Sequence, residues 1–344
     1  MSGGVDSSVA AALLVAQGHE VVGATMKLWG GPSDSGCCSV ADTDDARRVA
    51  QQLGIAHHVF NFTEDFERRV VDPYISAHAA GLTPNPCTAC NAHLKFDRFL
   101  VRARQLGFDA IATGHHARVS HSGGLWCLRR GRDLAKDQSY VLHMLGQDQL
   151  SALQLPVGEL TKEEVRRLAA QAGLRTATKP DSQDVCFISK DEGRGAFLGD
   201  RIPLRPGRLV TRDGREVGRV SALELVTVGQ RRGLGLGPPG SRSERHYVVG
   251  LDLAERTATV GPLEDLLVSE IRVLDMRWVS GPLPAGAPIE AQMSAHGRIA
   301  PGYWGEGIVS LREPVRRVAP GQAVVLYLPD PQGGDLVVGG GVAA

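Results

Sequence analysis

Hydrophobic positions in the first 180 residues follow two alternating patterns. A helical period, with apolar residues three and four positions apart, predicts helices at 5–17, 42–53, 92–105 and 161–171. The last of these begins with a capping box formed by Thr161 and Glu164. Short β-branched segments predict strands at 20–26, 55–60 and 109–113. Strands that alternate with helices are typical of an α/β fold with a doubly wound parallel sheet.

Beyond about residue 190, glycine and proline separate short segments in which apolar and polar residues alternate. These segments predict strands at 208–211, 216–220, 246–251, 257–260, 269–274, 308–311 and 323–328. Short strands joined by such turns are typical of small antiparallel β-domains. The sequence therefore predicts an α/β domain at 1–190, a small central β-rich domain at 191–264 and a C-terminal β-domain at 265–344.

Composition limits the class of protein. The chain has 344 residues, 42% of them hydrophobic, so it can bury cores and is not a disordered protein. Its 38 basic and 38 acidic residues balance, which excludes binding of nucleic acid through bulk positive charge but not through a local basic surface. No apolar segment reaches the roughly 18 residues that span a bilayer. We therefore expect a cytoplasmic protein with no membrane partner.

The segment 2–8, SGGVDSS, leads directly into the first predicted helix. Its two glycines let the backbone approach an oxyanion, and the N–H groups at the start of a helix attract negative charge. The loop lacks the Gly-Lys-Ser/Thr of a Walker sequence. A phosphate-binding loop and a Gly-Ser turn that only caps the helix both fit this pattern.

Six cysteines need an explanation, and a long chain with no evident secretory signal favours thiols over a disulfide framework. Cys87 and Cys90 form a CxxC that precedes the helix predicted at 92–105, and Cys186 lies on a separate loop. We expect Cys90 near the N-terminus of that helix, where the helix dipole favours a thiolate. From spacing alone, the CxxC fits a zinc site, a redox pair, a catalytic loop or a structural element. The other three cysteines fit packing roles: Cys37, Cys38 and Cys127.

Seven short motifs occur in a recognisable order. They are SGGVDSS at 2–8, CCS at 37–39, TPNPCTACNAHLKF at 83–96, ATGHHAR at 112–118, KDQSY at 136–140, KPDSQDVCFI at 179–188 and VGQRRGLGL at 228–236. In this order they resemble the bacterial tRNA-specific 2-thiouridylases, which are PP-loop ATPases. The resemblance extends over nearly the whole chain. It implies a PP-loop domain, a small central domain and a C-terminal β-barrel, and as activity the ATP-dependent 2-thiolation of the wobble uridine in tRNA.

Matching the motifs residue by residue implies roles for individual side chains. Cys90 matches the nucleophile, and Cys186 matches the cysteine that carries persulfide sulfur. The implied ATP contacts are Ser2, Gly3, Gly4, Val5, Asp6, Ser7, Ser8, Met26 and Gly114. The implied contacts to tRNA and its target base are Asn85, Pro86, Cys87, His115, Lys136, Asp137, Gln138 and Gln322. A basic stretch adds to the expected tRNA surface: Arg118, Arg129, Arg130, Arg132 and Lys136.

The resemblance also implies a reaction and its partners. The uridine carbonyl oxygen attacks the α-phosphate of ATP, and pyrophosphate leaves. Sulfur from Cys186 then attacks the ring carbon, while Cys90 either helps to release that sulfur or forms a disulfide with Cys186. Mg²⁺ and pyrophosphate would be organised by Asp6 and the loop serines, and a sulfur-donor protein would supply the persulfide.

Two departures from the family pattern leave alternatives open. Cys87 stands where other members carry Asp, and with Cys90 and Cys186 it could hold an iron–sulfur cluster. The strand that precedes the loop in the family has no counterpart before Ser2, so we expect a chain extended upstream to fold more stably. Two rival functions also fit: a PP-loop ligase that uses ammonia, and an RNA-binding or sulfur-carrier protein without ATP turnover.

Overall fold

The computed structural model describes residues 1–30, 40–181, 185–188, 193–236, 246–330 and 334–344. Its helices are α1 (Val5–Ala16), α2 (Val40–Gln52), α3 (Thr63–Phe66), α4 (Asp72–Ala79), α5 (Pro86–Cys90), α6 (Phe99–Gln105), α7 (Gln147–Ser151), α8 (Lys162–Gln171) and α9 (Gly193–Gly199). Its strands are β1 (Gly23–Lys27), β2 (His57–Asn61), β3 (Ile111–Ala112), β4 (Ala117–Ser122), β5 (Leu125–Arg130), β6 (Leu153–Gln154), β7 (Gly207–Val210), β8 (Glu216–Val220), β9 (Tyr247–Asp252), β10 (Thr257–Gly261), β11 (Leu267–Trp278), β12 (Ala287–Gln292), β13 (Ala300–Gly305), β14 (Ile308–Arg316), β15 (Ala323–Leu328) and β16 (Leu336–Ala343).

Parallel strands and the helices packed beside them form the first part of the chain. β1 pairs with β2 and β3 pairs with β6, both in parallel. Behind them, α1 and α8 bury a cluster that includes Val9 and Val165. The strands form two separate pairs. The first residues of the chain lie beside β1, because the Met1 amino group donates a hydrogen bond to the Ala24 carbonyl. The predicted α/β fold class is confirmed.

The helix that carries the CxxC starts earlier than predicted. The expected start was Ala92, whereas α5 begins at Pro86 and continues through a π-helical segment, Asn91–Arg98, into α6. The Asn85 side chain accepts a hydrogen bond of 3.0 Å from the Cys87 backbone N–H. Pro86 occupies the first helical position, where its missing N–H has no cost. These two local features place the helix start six residues upstream.

The central part is a four-stranded sheet in the order β8-β7-β10-β9. Its buried face carries Leu209, Val248 and Ala258. β7 and β10 run parallel, whereas the other neighbours are antiparallel. The predicted small β-rich unit is therefore present, with one parallel pairing that the turn pattern does not indicate.

The C-terminal part is a closed barrel. Six antiparallel strands follow the order β11-β14-β13-β12-β15-β16, and β11 also pairs with β16. Its core includes Ile289, Trp304, Val309 and Leu326. The barrel implied by the family resemblance is confirmed.

A hairpin from the first part of the chain extends the barrel sheet. β4 and β5 pair with each other, and β5 pairs with β16 through Leu128 and Val337. Both strands were absent from the sequence prediction. The hairpin joins the α/β part and the barrel in one eight-stranded sheet. Within the described residues, no helix is long and apolar enough to cross a membrane.

Candidate active site

The loop before α1 is folded on its own hydroxyl groups. Ser8 is buried and donates from Oγ to the Gly4 carbonyl at 2.8 Å, and Ser7 Oγ donates to the same oxygen at 3.1 Å. The Ser2 backbone N–H donates to Ser7 Oγ at 3.1 Å. No side chain caps the helix start at Gly4. Because the first N–H groups of a helix have no intrahelical acceptor, this end of α1 can bind an anion.

Close packing explains why glycine stands at two positions around this loop. Gly3 has a φ of +70°, and a β-carbon there would collide with the Asp42 carbonyl. A β-carbon at Gly114 would lie 2.5 Å from the Ser7 backbone nitrogen. Both positions hold the α1 N-terminus in place. The predicted nucleotide residue Met26 lies in β1 and packs at the edge of an apolar cluster.

Asp6, in the first turn of α1, is held by two basic side chains. Lys162 Nζ lies 2.7 and 2.8 Å from the two carboxylate oxygens, and His116 Nε2 lies 3.2 Å from one of them. Burial opposes ionisation, but the hydrogen bonds from His116 and Lys162 outweigh it and lower the pKa of Asp6. Asp6 is therefore ionised at neutral pH.

Asp181 is the second carboxylate bound by Lys162. Its Oδ1 lies 2.9 Å from Lys162 Nζ and 2.9 Å from the Arg166 guanidinium, and Lys136 Nζ lies 2.9 Å from its Oδ2. Burial opposes ionisation here too, but the hydrogen bonds from Lys162 and Lys136 lower the pKa of Asp181 to about 2. Lys162 thus connects the loop before α1 to the segment that leads to Cys186.

The cysteines occupy three different environments. Cys90 is buried, Cys186 is half-buried, and both pack in one apolar cluster with Leu94 and Phe187. Cys87 is exposed. Because the helix begins at Pro86, Cys87 lies in its first turn and Cys90 lies one turn further in. The expectation that Cys90 lies at the helix N-terminus was therefore wrong.

The remaining cysteines and the metal interpretations follow from the same coordinates. Cys127 lies on β5 as a half-buried thiol, and Cys37 and Cys38 fall outside the described residues. Among the described residues, no group of three His, Cys, Asp or Glu side chains is placed to hold a metal ion.

Comparison with known proteins decides the family. Residues 1–190 match the tRNA methyl transferase HUP domain, 195–262 the tRNA methyl transferase PRC-barrel domain, and 268–343 the aminomethyltransferase beta-barrel domain. The tRNA-specific 2-thiouridylase MnmA of Salinispora arenicola is 46% identical over 100% of this chain and 97% of its own length. The protein of the same name from Mycolicibacterium smegmatis is 45% identical over 98% of this chain and 96% of its own length.

The chain belongs to the tRNA-specific 2-thiouridylase family. It is therefore an enzyme, as the motif order indicates. Among solved structures, that of an NMN synthetase from Francisella tularensis aligns with a TM-score of 0.32 and 19% identity, over 53% of this chain and 63% of that chain.

For this 2-thiouridylase family member, several residues matched to tRNA contacts hold the site together. Asp137 is buried and accepts four hydrogen bonds, from Arg130, Gly131 and Ser139. Gln138 accepts a hydrogen bond of 2.9 Å from the His116 backbone N–H. These contacts place Asp137 and Gln138 beneath the site rather than on an open surface of the protein.

Other matched residues lie closer to solvent or to the cysteines. His115 Nδ1 lies 2.7 Å from Thr113 Oγ1, and burial followed by the charge of Lys95 lowers the pKa of His115 well below its ordinary value. Lys136 is partly exposed and pairs with Asp181. Gln322 donates from its side-chain amide to the Thr83 carbonyl at 2.6 Å, and so holds the loop that leads to Asn85 and Cys87.

The expected basic surface is smaller than its sequence indicates. Arg129 pairs with Asp330 at 2.7 Å, and both side chains are at most one-tenth exposed. Arg130 lies between Asp137 and Asp335. These two arginines join β5 to the barrel, so the expectation that they bind tRNA phosphates was wrong. Arg132 stays exposed on this stretch.

Sequence reasoning did not identify Lys162 or Arg166 as site residues. The one available signal was the capping box of Thr161 and Glu164, which the structure confirms with hydrogen bonds of 3.2 and 2.7 Å. That box places Lys162 in the first turn of α8. It does not indicate which carboxylates the lysine meets.

Proposed function

We propose that the chain catalyses the ATP-dependent 2-thiolation of the wobble uridine in tRNA. The observation that carries the proposal is the bridge from Asp6 through Lys162 to Asp181. It places an uncapped helix N-terminus, suited to polyphosphate, beside the segment that leads to Cys186. The family relatives, which are named as tRNA-specific 2-thiouridylases, support the choice of substrate. Such a substrate and reduced thiols fit a cytoplasmic enzyme.

The first step activates the base. The uracil O2 attacks the α-phosphorus of ATP, the bond to the bridging oxygen breaks, and pyrophosphate leaves. The N-terminal N–H groups of α1 stabilise the negative charge of the departing pyrophosphate. Asp6, ionised by Lys162 and His116, and the hydroxyl of Ser2 offer the oxygen ligands that Mg²⁺ prefers. Bound there, Mg²⁺ would neutralise phosphate charge.

The second step transfers sulfur to the activated carbon. A persulfide on Cys186, loaded by a sulfur-donor protein, attacks C2 through its terminal sulfur, and AMP leaves. The Cys90 thiolate then attacks the Cys186 sulfur, which releases the thiolated base and leaves a Cys90–Cys186 disulfide. Alternatively, Cys90 attacks first and frees sulfide, which attacks C2. Both routes end in the same disulfide, which an external thiol reduces. The shared apolar cluster of Cys90 and Cys186 supports this pairing.

Mass spectrometry of nucleosides from treated tRNA tests the proposal. Cys186→Ala and Cys90→Ser are expected to abolish 2-thiouridine while leaving ATP-dependent pyrophosphate release. Cys127→Ser, which changes a half-buried cysteine on β5, is the matched control and should keep full activity. Unimpaired thiolation in both site variants would refute the mechanism.

The same preparations distinguish the alternatives. An amidating ligase would release pyrophosphate without any need for Cys90 or Cys186, and a carrier protein would release none. Iron content and absorbance near about 400 nm in anaerobically purified protein test a cluster on Cys87, Cys90 and Cys186. A colourless, iron-free and active enzyme would support the persulfide route.

A further inference from the structure

Lys162 joins two carboxylates from different parts of the site. Its Nζ lies 2.7 and 2.8 Å from the oxygens of Asp6 and 2.9 Å from Oδ1 of Asp181. The side chain is 12% exposed, so water screens these contacts only weakly. Asp6 lies in the first turn of α1, and Asp181 precedes Cys186 by five residues. A single ammonium therefore contacts both reaction centres of the proposed enzyme.

The backbone of Lys162 is held independently of its charge. The Thr161 capping box begins α8 at this residue. The Lys162 backbone N–H also donates to Asp133 at 3.0 Å. Because these contacts do not involve Nζ, the ammonium can change partners without displacement of the helix.

The two carboxylates differ in their other partners. Asp181 also pairs with Lys136 and Arg166, whereas these two cations do not contact Asp6 among the ion pairs of the described residues. Arg166 in addition donates to two backbone carbonyls just before Asp181, at 2.8 and 3.0 Å. Lys162 is thus the cation common to both acids, and Arg166 anchors only the segment that leads to Cys186.

We propose that Lys162 is a positioning residue that couples nucleotide binding at the α1 N-terminus to the position of the Cys186 segment. The inference rests on the proposed function. A triphosphate at the first turn of α1 brings several negative charges beside Asp6, where they compete for the ammonium of Lys162. When Lys162 turns to the phosphates, Asp181 loses one of its cationic partners. The segment that leads to Cys186 then shifts before any sulfur is transferred.

The test measures how nucleotide binding changes the reactivity of Cys186. The probe is α,β-methylene-ATP with Mg²⁺, which resists cleavage between the α- and β-phosphates. Alkylation of Cys186 by iodoacetamide is followed by peptide mass spectrometry, with Cys127 in the same digest as reference. In the wild-type chain we expect the analogue to change the Cys186 rate about fivefold or more. In Lys162→Gln we expect no change at saturating analogue, with saturation verified by equilibrium dialysis.

Two further variants separate coupling from a loss of folding. Asp181→Asn removes the second partner but leaves the pair of Lys162 and Asp6, so it should bind the analogue normally and still lose the response. Arg166→Gln weakens the same segment without touching Asp6, and should keep the response. The coupled reaction gives a second measurement: Lys162→Gln should release several pyrophosphates for each 2-thiouridine formed.

The outcomes that overturn the inference are distinct from those that overturn the function. If the analogue binds the wild-type chain and Cys186 does not respond, or if Lys162→Gln responds as the wild type does, Lys162 does not couple the two centres. If the wild-type chain does not bind the analogue at all, the inference and the proposed ATP-dependent function both fail.

Discussion

Gly114 lies so close to the first turn of α1 that a β-carbon there would come 2.5 Å from the Ser7 backbone nitrogen. Gly114→Ala should therefore displace the helix N-terminus that is proposed to bind pyrophosphate. We expect pyrophosphate release to fall by about 100-fold, because a displacement of about 1 Å is enough for such a loss. Gly305→Ala is the control, since a β-carbon there meets no heavy atom within 4 Å. Equal rates in the two variants would contradict the packing argument.

Arg130→Ala should destabilise the chain strongly. The guanidinium lies 2.8 Å from the carboxylate of Asp137, whose side chain is 2% exposed. Removing the arginine leaves a buried charge without this partner, which costs about 3–5 kcal/mol. Urea denaturation measures the loss. Arg47→Ala, which breaks an exposed pair with Asp44, should change the free energy of unfolding by less than about 0.5 kcal/mol.

Gln322→Ala should impair thiolation more than it impairs tRNA binding. The side-chain amide holds the Thr83 carbonyl at 2.6 Å, and that loop leads to Asn85 and the CxxC. We expect kcat for thiolation to fall about tenfold, because the loop loses a hydrogen bond that positions Cys90. The dissociation constant for tRNA, measured by filter binding, should change little. The reverse result, a weaker complex with an unchanged kcat, would show that Gln322 contacts tRNA directly.

Stability should fall between pH 6.5 and pH 4 through His78. Burial, followed by the charge of Arg194, lowers the pKa of His78 to about 4 from 6.5. Its ring packs on Tyr74 with ring centroids 4.6 Å apart. In this pH range the unfolded chain binds more protons, so the free energy of unfolding decreases as pH falls, with a slope of at most about 1.4 kcal/mol per unit from this group.

Urea denaturation at several pH values tests this dependence. His78→Gln should give a flatter profile over the same range than the wild-type chain. The exposed His19 provides the control variant, His19→Gln, which should follow the wild-type profile. A His78→Gln profile as steep as that of the wild type would assign the acid sensitivity to other groups.

Local sequence patterns predicted the helices well. The first predicted helix, 5–17, is observed as Val5–Ala16, and the last, 161–171, as Lys162–Gln171 after the Thr161 cap. Capping and helical periodicity depend on near neighbours, so the sequence carries them directly. The start of α5 was missed although its signal is also local, because the Asn85-Pro86 pair was interpreted as a loop.

The hairpin of β4 and β5 could not be predicted in the same way. Its strands carry Arg118, Arg129 and Arg130, and charged residues in sequence indicate a surface. Two of these charges are neutralised by Asp330, Asp137 and Asp335, and the partners in the barrel lie about 200 positions away. Burial of these arginines therefore depends on the assembled barrel.

The sequence by itself determined the chemistry available to this protein: the SGGVDSS loop, the CxxC, Cys186 and the motif order that identifies the family. These features depend on residue type and short spacing. Only the tertiary structure decided that Cys90 and Cys186 share one apolar cluster, and that Lys162 meets Asp6 across 156 positions of the chain. Packing and ion pairing join residues that are far apart in sequence, so their partners follow from the fold and not from the local pattern.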